Sequence, residues 1–391
     1  MGTEGTATAS GAAPEPAFEA PVGPPRRKLS WLARVAIGFT VVLAAAVAAG
    51  FVIRVPYTTI APGDALSLPA LVSVQGAKTY PKPRGDIRLL FVREANHVSL
   101  WQYVRARLDS DIDLAKDGAV NPGKLSPLQF TDQGLQQMAD AKSSATAVAL
   151  RAAGYKVSVA PGLTVSDLTP GMPAIDVLRW GDVIVSADGR KIVTANDLTV
   201  AIAKHKVGEQ VALAVDRAGK RLDVKVAIGV FADGPARGKR GIGVDVSPRF
   251  TFPFKVSVDT TNIGGPSAGL AMTLAIFDDL TPGDLTGGAH VAVTGTIDDS
   301  GNVGEIGGIE QKAVAARAAH VTVFIVPQCS PDDPPAALAS CKADLTKTAK
   351  RAGSKIKVVP VSTFAQALGV LRDNGGAPVT ASAPSTSTTT G

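Results

Sequence analysis

Cysteine is nearly absent from this 391-residue chain. Two residues, Cys329 and Cys341, cannot build a disulfide scaffold or a four-ligand zinc site. Four scattered histidines with no H-E-x-x-H spacing give no helix-borne metal site, so neither a metal nor any other cofactor is expected. Aromatic residues make up 5%, so Ala, Val, Leu and Ile must build the core, and no aromatic platform interleaves the basic residues. No run of five basic residues exists. Forty Lys and Arg against 34 Asp and Glu leave +6, too small a surplus over this length to mark a nucleic-acid partner. The phosphate-cradling spacing G-x-x-x-x-G-K-[ST] does not occur, so no nucleotide partner is expected either. Apolar residues, by contrast, reach 45% and charged residues only 19%. That much apolar surface excludes a chain disordered throughout, and the length allows two or three domains.

Val35 to Ile53 holds nineteen residues without a charge. A helix of that length is about enough to cross a hydrocarbon core of roughly 30 Å. Arg26, Arg27, Lys28 and Arg34 precede it and only Arg54 follows closely. The positive-inside rule then places the N-terminus in the cytoplasm and the rest of the chain outside it, in a single-pass cell-membrane topology. Ala46-Val47-Ala48 would suit signal-peptide cleavage, but the apolar run exceeds the roughly 7–15 residues of a signal h-region. An uncleaved anchor is the expectation, and either case exports the rest of the chain. Outside the cytoplasm a disulfide persists, so Cys329 and Cys341, with Pro331, Pro334 and Pro335 between them, are candidates to close a small surface loop.

Composition and periodicity divide the chain. Residues 1–30 are a disordered cytoplasmic tail and residues 31–54 the transmembrane anchor. Residues 55–154 are an extracytoplasmic segment of strand and helix that packs with the last domain, and residues 376–391 are a Ser/Thr/Pro-rich disordered tail. Within 55–154, Ile87 to Val92 reads as a strand. Ser99 caps a helix SLWQYVRARL, and Thr131 caps a long helix through Ala153 that Gly154 ends. Residues 155–230 are a compact set of short strands, with a turn at Ala187–Arg190, a helix capped by Asn196 and a hairpin turning at Gly219. Residues 231–240 read as a linker. Residues 241–372 alternate strands and helices, which argues for an α/β or α+β layer structure.

In 155–230 the order of strand, Pro170-Gly171-Met172-Pro173-Ala174 turn, Gly181-Asp182-Val183-Ile184 strand and Asp188-Gly189 turn resembles a bacterial PDZ domain over about 70 residues. PDZ domains bind extended peptides by adding a strand to an open sheet edge, so the resemblance implies a protein or peptide partner. It does not place the peptide-contact residues. The alternative for this stretch is a β-rich spacer that binds nothing.

Chemistry enters with Gly264-Gly265-Pro266-Ser267-Ala268-Gly269, which follows an extended segment and opens a helix. Proline suits a first helical turn, where a missing N–H costs little. Ser267 therefore sits among free N–H groups at a positive dipole end, which suits a hydroxyl whose attack generates an oxyanion. The same residues satisfy G-x-S-x-G, an elbow that needs a downstream acid and histidine; His290 and His320 are the only candidates. A second signature comes at Ile306-Gly307-Gly308, with Lys312 one turn into an Ala-rich helix beside Ile309, Ala313 and Ala316.

Gly265–Gly269 (GPSAG), Thr294-Gly295 in AVTGTID and the Ile306-Gly307-Gly308…Lys312 motif resemble, in order and spacing, the proteolytic domain of Lon-type peptidases. With the anchor and the PDZ-like segment, the chain resembles the membrane-anchored, PDZ-containing Lon-like proteases of bacteria over most of residues 31–372. The implied architecture is α+β: one N-terminal transmembrane helix, a PDZ-like β-rich domain and a Lon-type α/β proteolytic domain. The implied catalysts are Ser267 and Lys312, with Thr294 positioning the lysine and the loop Gly265, Pro266 and Ala268 shaping the oxyanion site. Lon-type domains commonly form rings, so the resemblance admits a homo-oligomer, although the sequence itself displays no interface. One departure stands out. Gly264 lies where full-length Lon proteases usually carry an acid, which puts the family's closed-to-open regulation in doubt here.

The leading expectation is an ATP-independent serine endopeptidase, with the PDZ-like domain recruiting or gating extracytoplasmic or membrane-proximal substrates. The first alternative is a catalytically inactive PDZ adaptor of the cell envelope. The second is an esterase of the elbow type, which would need His290 or His320.

Overall fold

The structure, a computed structural model, describes residues 30–377 apart from Pro83, Pro235 and Asn262. The tail expected at 1–30 lies outside these residues except for Ser30, and the tail expected at 376–391 except for Gly376 and Ala377. Those two are tied down: the Gly376 N–H donates to the Leu371 carbonyl and the Ala377 N–H to the Asp284 carbonyl.

The chain forms two bodies that divide after Val52. The first contains the helix α1 (Trp31–Val52), 22 residues whose most apolar 18-residue stretch has a mean hydropathy of 2.5, long and apolar enough to cross a membrane.

The second body runs, in chain order, through β1 (Tyr57–Ser67), β2 (Val72–Gln75), β3 (Asp86–Ala95), α2 (Leu100–Leu108), β4 (Asp113–Lys116) and the long α3 (Pro127–Ala152). Then come β5 (Ser158–Leu168), β6 (Val183–Ala187), α4 (Ala195–Ile202), β7 (Gln210–Arg217), β8 (Lys220–Ala227) and β9 (Val244–Thr251). The remainder is β10 (Lys255–Val258), α5 (Gly269–Leu280), β11 (His290–Val293), α6 (Ile309–Ala318), β12 (Val323–Pro327), α7 (Pro335–Ala352), β13 (Lys357–Val361) and α8 (Phe364–Asp373).

One sheet has the order β13-β12-β11-β3-β1-β4, parallel from β13 to β3 and antiparallel beyond. Its two faces carry separate cores. On one, Leu89, Val291, Val293 and Ile325 pack with Leu270, Leu274 and Phe277 of α5 and with Ala145 and Ala149 of α3. On the other, Leu90, Ala292, Phe324 and Val326 pack with Ala313 and Ala316 of α6 and Ala352 of α7. Strands buried on both faces read as continuous apolar runs, and VFIV in β12 does so. Residues 55–154 supply β1, β3 and β4 of this sheet, so a segment with weak periodicity completes the α/β domain.

The second sheet is antiparallel, β9-β5-β6-β7-β8, around a core of its own that includes Leu163, Val165, Ile184, Leu213 and Val226. Asp182 of the Gly-Asp motif is buried and accepts from the Arg179 N–H and from the Arg217 guanidinium at 2.7 and 2.8 Å. That satisfied pair explains an acid at this position; stranding such a carboxylate would cost about 3–5 kcal/mol. β9 pairs with β5 from Val244↔Leu168 to Thr251↔Ser158, so residues beyond the expected 231–240 linker return to this sheet.

Two caps differ from expectation. Ser126, not Thr131, caps α3 in a capping box with Gln129, while the Thr131 hydroxyl donates back to the Pro127 carbonyl from inside the helix. Pro127 at the first helical position permits the earlier start. Thr194, not Asn196, caps α4, because its side chain and Asp197 bond reciprocally. Cys329 and Cys341 are joined, but Cys341 lies on α7 instead of in a surface loop.

Candidate active site

Ser267 lies two residues before α5, Lys312 one turn into α6, and Thr294 just past β11. α5 and α6 cover opposite faces of the sheet, so the serine and the lysine arrive from opposite sides and meet at the C-terminal end of β11. Lys312 Nζ is 2.8 Å from Ser267 Oγ and 3.0 Å from Thr294 Oγ1. The Thr294 hydroxyl also donates to the Ser267 carbonyl at 3.2 Å, and the Gly295 N–H donates to that carbonyl at 2.9 Å. The Leu270 N–H in turn bonds the Gly295 carbonyl, lacing the start of α5 to the end of β11.

Lys312 is 2% exposed and Thr294 is fully buried. Burial drives the Lys312 amine down to about 7, because the charged form loses its hydration; the negative charge of Glu94 opposes this. Gly308 starts α6 in the left-handed conformation (φ 65°), and its carbonyl accepts the Lys312 N–H. Val92 and Ile60 crowd the space where a Gly308 side chain would stand. Glu94 is the cross-strand partner of Ile60 and lies two residues beyond Val92, on the face of β3 that meets this turn. Glu94 is exposed as a residue, yet the surrounding protein removes enough water from its carboxyl to raise its pKa, against the attraction of Lys312. The sequence motifs do not point to Glu94. No local pattern marks it, and only the β1–β3 register brings it to α6.

The turn that carries Ser267 rests on α3. The Gly265 N–H donates to the Gly134 carbonyl at 2.8 Å, and a Cβ at position 264 would stand 3.2 Å from the Gly134 carbonyl carbon. This close approach of two backbones accounts for glycine at 264 in place of an acid. Gly265 therefore has its N–H occupied and Pro266 has none. Pro266 also borders a cavity lined by Asp140, Asp167, Asp245 and Asp298, which connects this turn with α3 and the β5–β9 edge.

The histidines stand elsewhere. His290, at the opposite end of β11 from Thr294, bonds Asp86 and Arg88. His320 follows α6 with φ 54°. Neither is among the hydrogen-bond partners of Ser267 in the described residues. No group of three or more metal-ligating side chains occurs among the described residues.

Residues 135–228 match the PDZ domain family, and residues 254–368 match the Lon protease (S16) C-terminal proteolytic domain. The chain carries a PDZ domain and a Lon-type proteolytic domain. The PDZ match begins inside α3, ahead of the strands and turns that carry the likeness in the sequence. The Lon protease of Neorickettsia sennetsu is 32% identical over 108 residues, covering 28% of this chain and 12% of that protein. The Lon protease of Clostridioides difficile is 32% identical over 104 residues, 27% and 12%. That of Roseiflexus castenholzii is 41% identical over 69 residues, 18% and 8%. The chain thus spans about an eighth or less of the length of these relatives. Among solved structures, the PDZ domain of an SdrC-like protein from Listeria monocytogenes is 27% identical, covering 22% of this chain and 86% of that one, with a TM-score of 0.20.

Proposed function

We propose that this protein is a serine endopeptidase in which Ser267 attacks a peptide carbonyl and Lys312 is the general base. The observation that carries the reading is the buried Lys312 amine, 2.8 Å from Ser267 Oγ and brought to about 7 by its surroundings. An ordinary lysine, with a pKa of about 10.4, is protonated at neutral pH and cannot accept a proton. Here a large fraction is neutral. Its lone pair takes the Ser267 proton as Oγ bonds to the carbonyl carbon. The resulting ammonium then delivers that proton to the leaving amine, and water releases the acyl group by the reverse sequence. Thr294 holds Nζ from a second direction. The Ser267 and Ala268 N–H groups, at the N-terminal end of α5, hold the oxyanion.

The reading extends to an ATP-independent enzyme anchored by α1 with its catalytic domain outside the cytoplasm. The basic cluster before α1 and the Cys329–Cys341 pairing support that side, since disulfides persist in oxidising compartments. The PDZ domain recruits or gates substrate. Among the described residues β9 has a strand neighbour on one side only, and the cavity at Pro266 adjoins the same strand. An extended peptide added to β9 would then lie near the nucleophile.

Unfolded casein, incubated with the purified full chain in detergent, tests the activity. Cleavage without ATP, unchanged on adding it, is expected; cleavage only with ATP contradicts ATP independence, and none in the presence of PDZ-binding peptides supports the adaptor reading instead. Glu94→Gln gives a further check. Removing its charge lowers the Lys312 pKa again, so the rising limb of the pH–rate profile shifts to lower pH while the plateau is kept. A limb that stays in place or moves upward excludes Glu94 from this role.

A further inference from the structure

We propose that β9 is a built-in ligand of the PDZ domain, and that an extended peptide with a lysine or arginine between two aliphatic residues takes its place on β5. The inference rests on the reading that the PDZ domain recruits peptides, and it assigns the position and chemistry of the recruited segment. β9 lies between the two matched domains, whose facing boundaries fall at residues 228 and 254. Without β9, β5 would be the end strand of its sheet. β9 closes that edge as an added antiparallel strand, the mode in which PDZ domains take peptides. It also touches α4. Val244 and Val246 pack half-buried against the core that includes Leu198 and Ala201 of that helix. Just ahead of β9, the Arg240 guanidinium donates to the Ala203 carbonyl at the end of α4. The segment thus fills a groove between a strand and a helix.

β9 fits this groove poorly. Its register with β5 shifts twice, between Asp245 and Val246 and between Pro248 and Arg249. Pro248 brings no N–H to the ladder. Asp245 stands directly opposite Asp167, and like charges so placed destabilise a strand pair. Asp245 is exposed as a residue, yet the protein around its carboxyl and the charge of Asp167 both raise its pKa. Asp140 of α3 lines the same cavity, and burial pushes its carboxyl up to about 6. A basic side chain in the place of Asp245 would meet these carboxyls as an opposite charge. Aliphatic residues on either side would keep the places of Val244 and Val246. A tethered strand has a high effective concentration, so only a better-matched peptide displaces it. The charge at the Asp245 position supplies that match.

Anisotropy of fluorescein-labelled peptides tests this on the full chain in detergent, carrying Ser267→Ala so that no peptide is cut. One peptide repeats residues 241–252, and the other carries Asp245→Lys and Pro248→Val in the same sequence. The second is expected to bind several-fold more tightly than the first. A locked chain carries Thr164→Cys and Ser247→Cys, which are paired across β5 and β9 and close a disulfide that holds β9 down. The native cysteines are already joined to each other. With the new bond closed, as read by mass, binding of the second peptide should be lost, whereas Ser247→Ala alone should keep it. Equal binding to locked and unlocked chains places the peptide elsewhere and overturns the proposal. Equal affinity for the two peptides overturns the basic-residue assignment. Failure of the introduced cysteines to pair shows that β9 does not hold this register and also overturns it. Fluorescein-labelled unfolded casein reads recruitment separately. Casein bound without either peptide overturns the proposal and leaves recruitment standing; binding of neither casein nor peptide overturns both.

Discussion

Lys312→Met is expected to reduce casein cleavage by roughly 10⁴-fold or more while the protein stays folded, and Ser267→Ala is expected to match it. Members of one nucleophilic unit are not additive, so the double variant loses little beyond either single one. The stability effect of Lys312→Met runs the other way. The folded-state pKa of Lys312 is about 7, below its unfolded value of 10.5. Between these two pH values the unfolded chain binds more protons, so wild-type stability rises with pH across that window. Below pH 7 the native protein carries the full penalty of a buried ammonium. The methionine fills similar volume without a charge, and Thr294 keeps the Ser267 carbonyl as a partner. Lys312→Met therefore melts higher than wild type at pH 6, and the gap narrows toward pH 10. A variant that melts lower at every pH would contradict the assignment of Lys312 as a buried, strained amine.

The second large effect comes from a methyl group. In Gly269→Ala the new Cβ would stand 2.8 Å from the Ile297 side chain and 2.9 Å from its backbone nitrogen. A backbone atom cannot rotate away, so α5 or the Thr296–Ile297 strand must move. Overpacking of this kind costs about 1–3 kcal/mol. Because Ser267 is two residues away and is laced to Gly295, the shift also displaces the nucleophile. A misplacement near 1 Å costs about 10²-fold in rate. Gly307→Ala is the control. Its Cβ would meet nothing within 4 Å, so melting should change by less than about 0.5 kcal/mol. Casein cleavage and thermal melting of both variants test this; a Gly269→Ala enzyme with wild-type rate would show that the turn tolerates displacement.

Parts of this arrangement are legible in the sequence because they are local. GPSAG at a helix start, Thr-Gly at a strand end and a lysine one turn into an Ala-rich helix each announce their own backbone context, and their order carries the relation between them. The Asp188-Gly189 turn, with both residues at positive φ, is equally local. The parts that escape are set by pairing across long sequence separations. β1 holds Pro62 and Gly63 and lacks clean alternation, so it does not read as a strand, yet it lies between β3 and β4. The return of β9 to the PDZ sheet is hidden by a linker-like run, FADGPARGKR, before it. The prolines between the two cysteines suggest a loop for Cys341, whereas Pro335 occupies the first helical position of α7. Glu94 and Gly134 carry no signal at all. Their relevance exists only once β3 lies beside α6 and α3 lies beside the nucleophile turn.

The central claim is that the neutral amine of Lys312 activates Ser267. Its most direct test is the rate at which a fluorophosphonate modifies the full chain between pH 5 and pH 9, tracked by intact mass and located by peptide mapping. A single adduct on Ser267, forming at a rate that rises with pH through a midpoint near 7 and lost in Lys312→Met, is the predicted result. An adduct that forms at Ser267 equally fast in Lys312→Met, or at a rate that does not depend on pH, would contradict it.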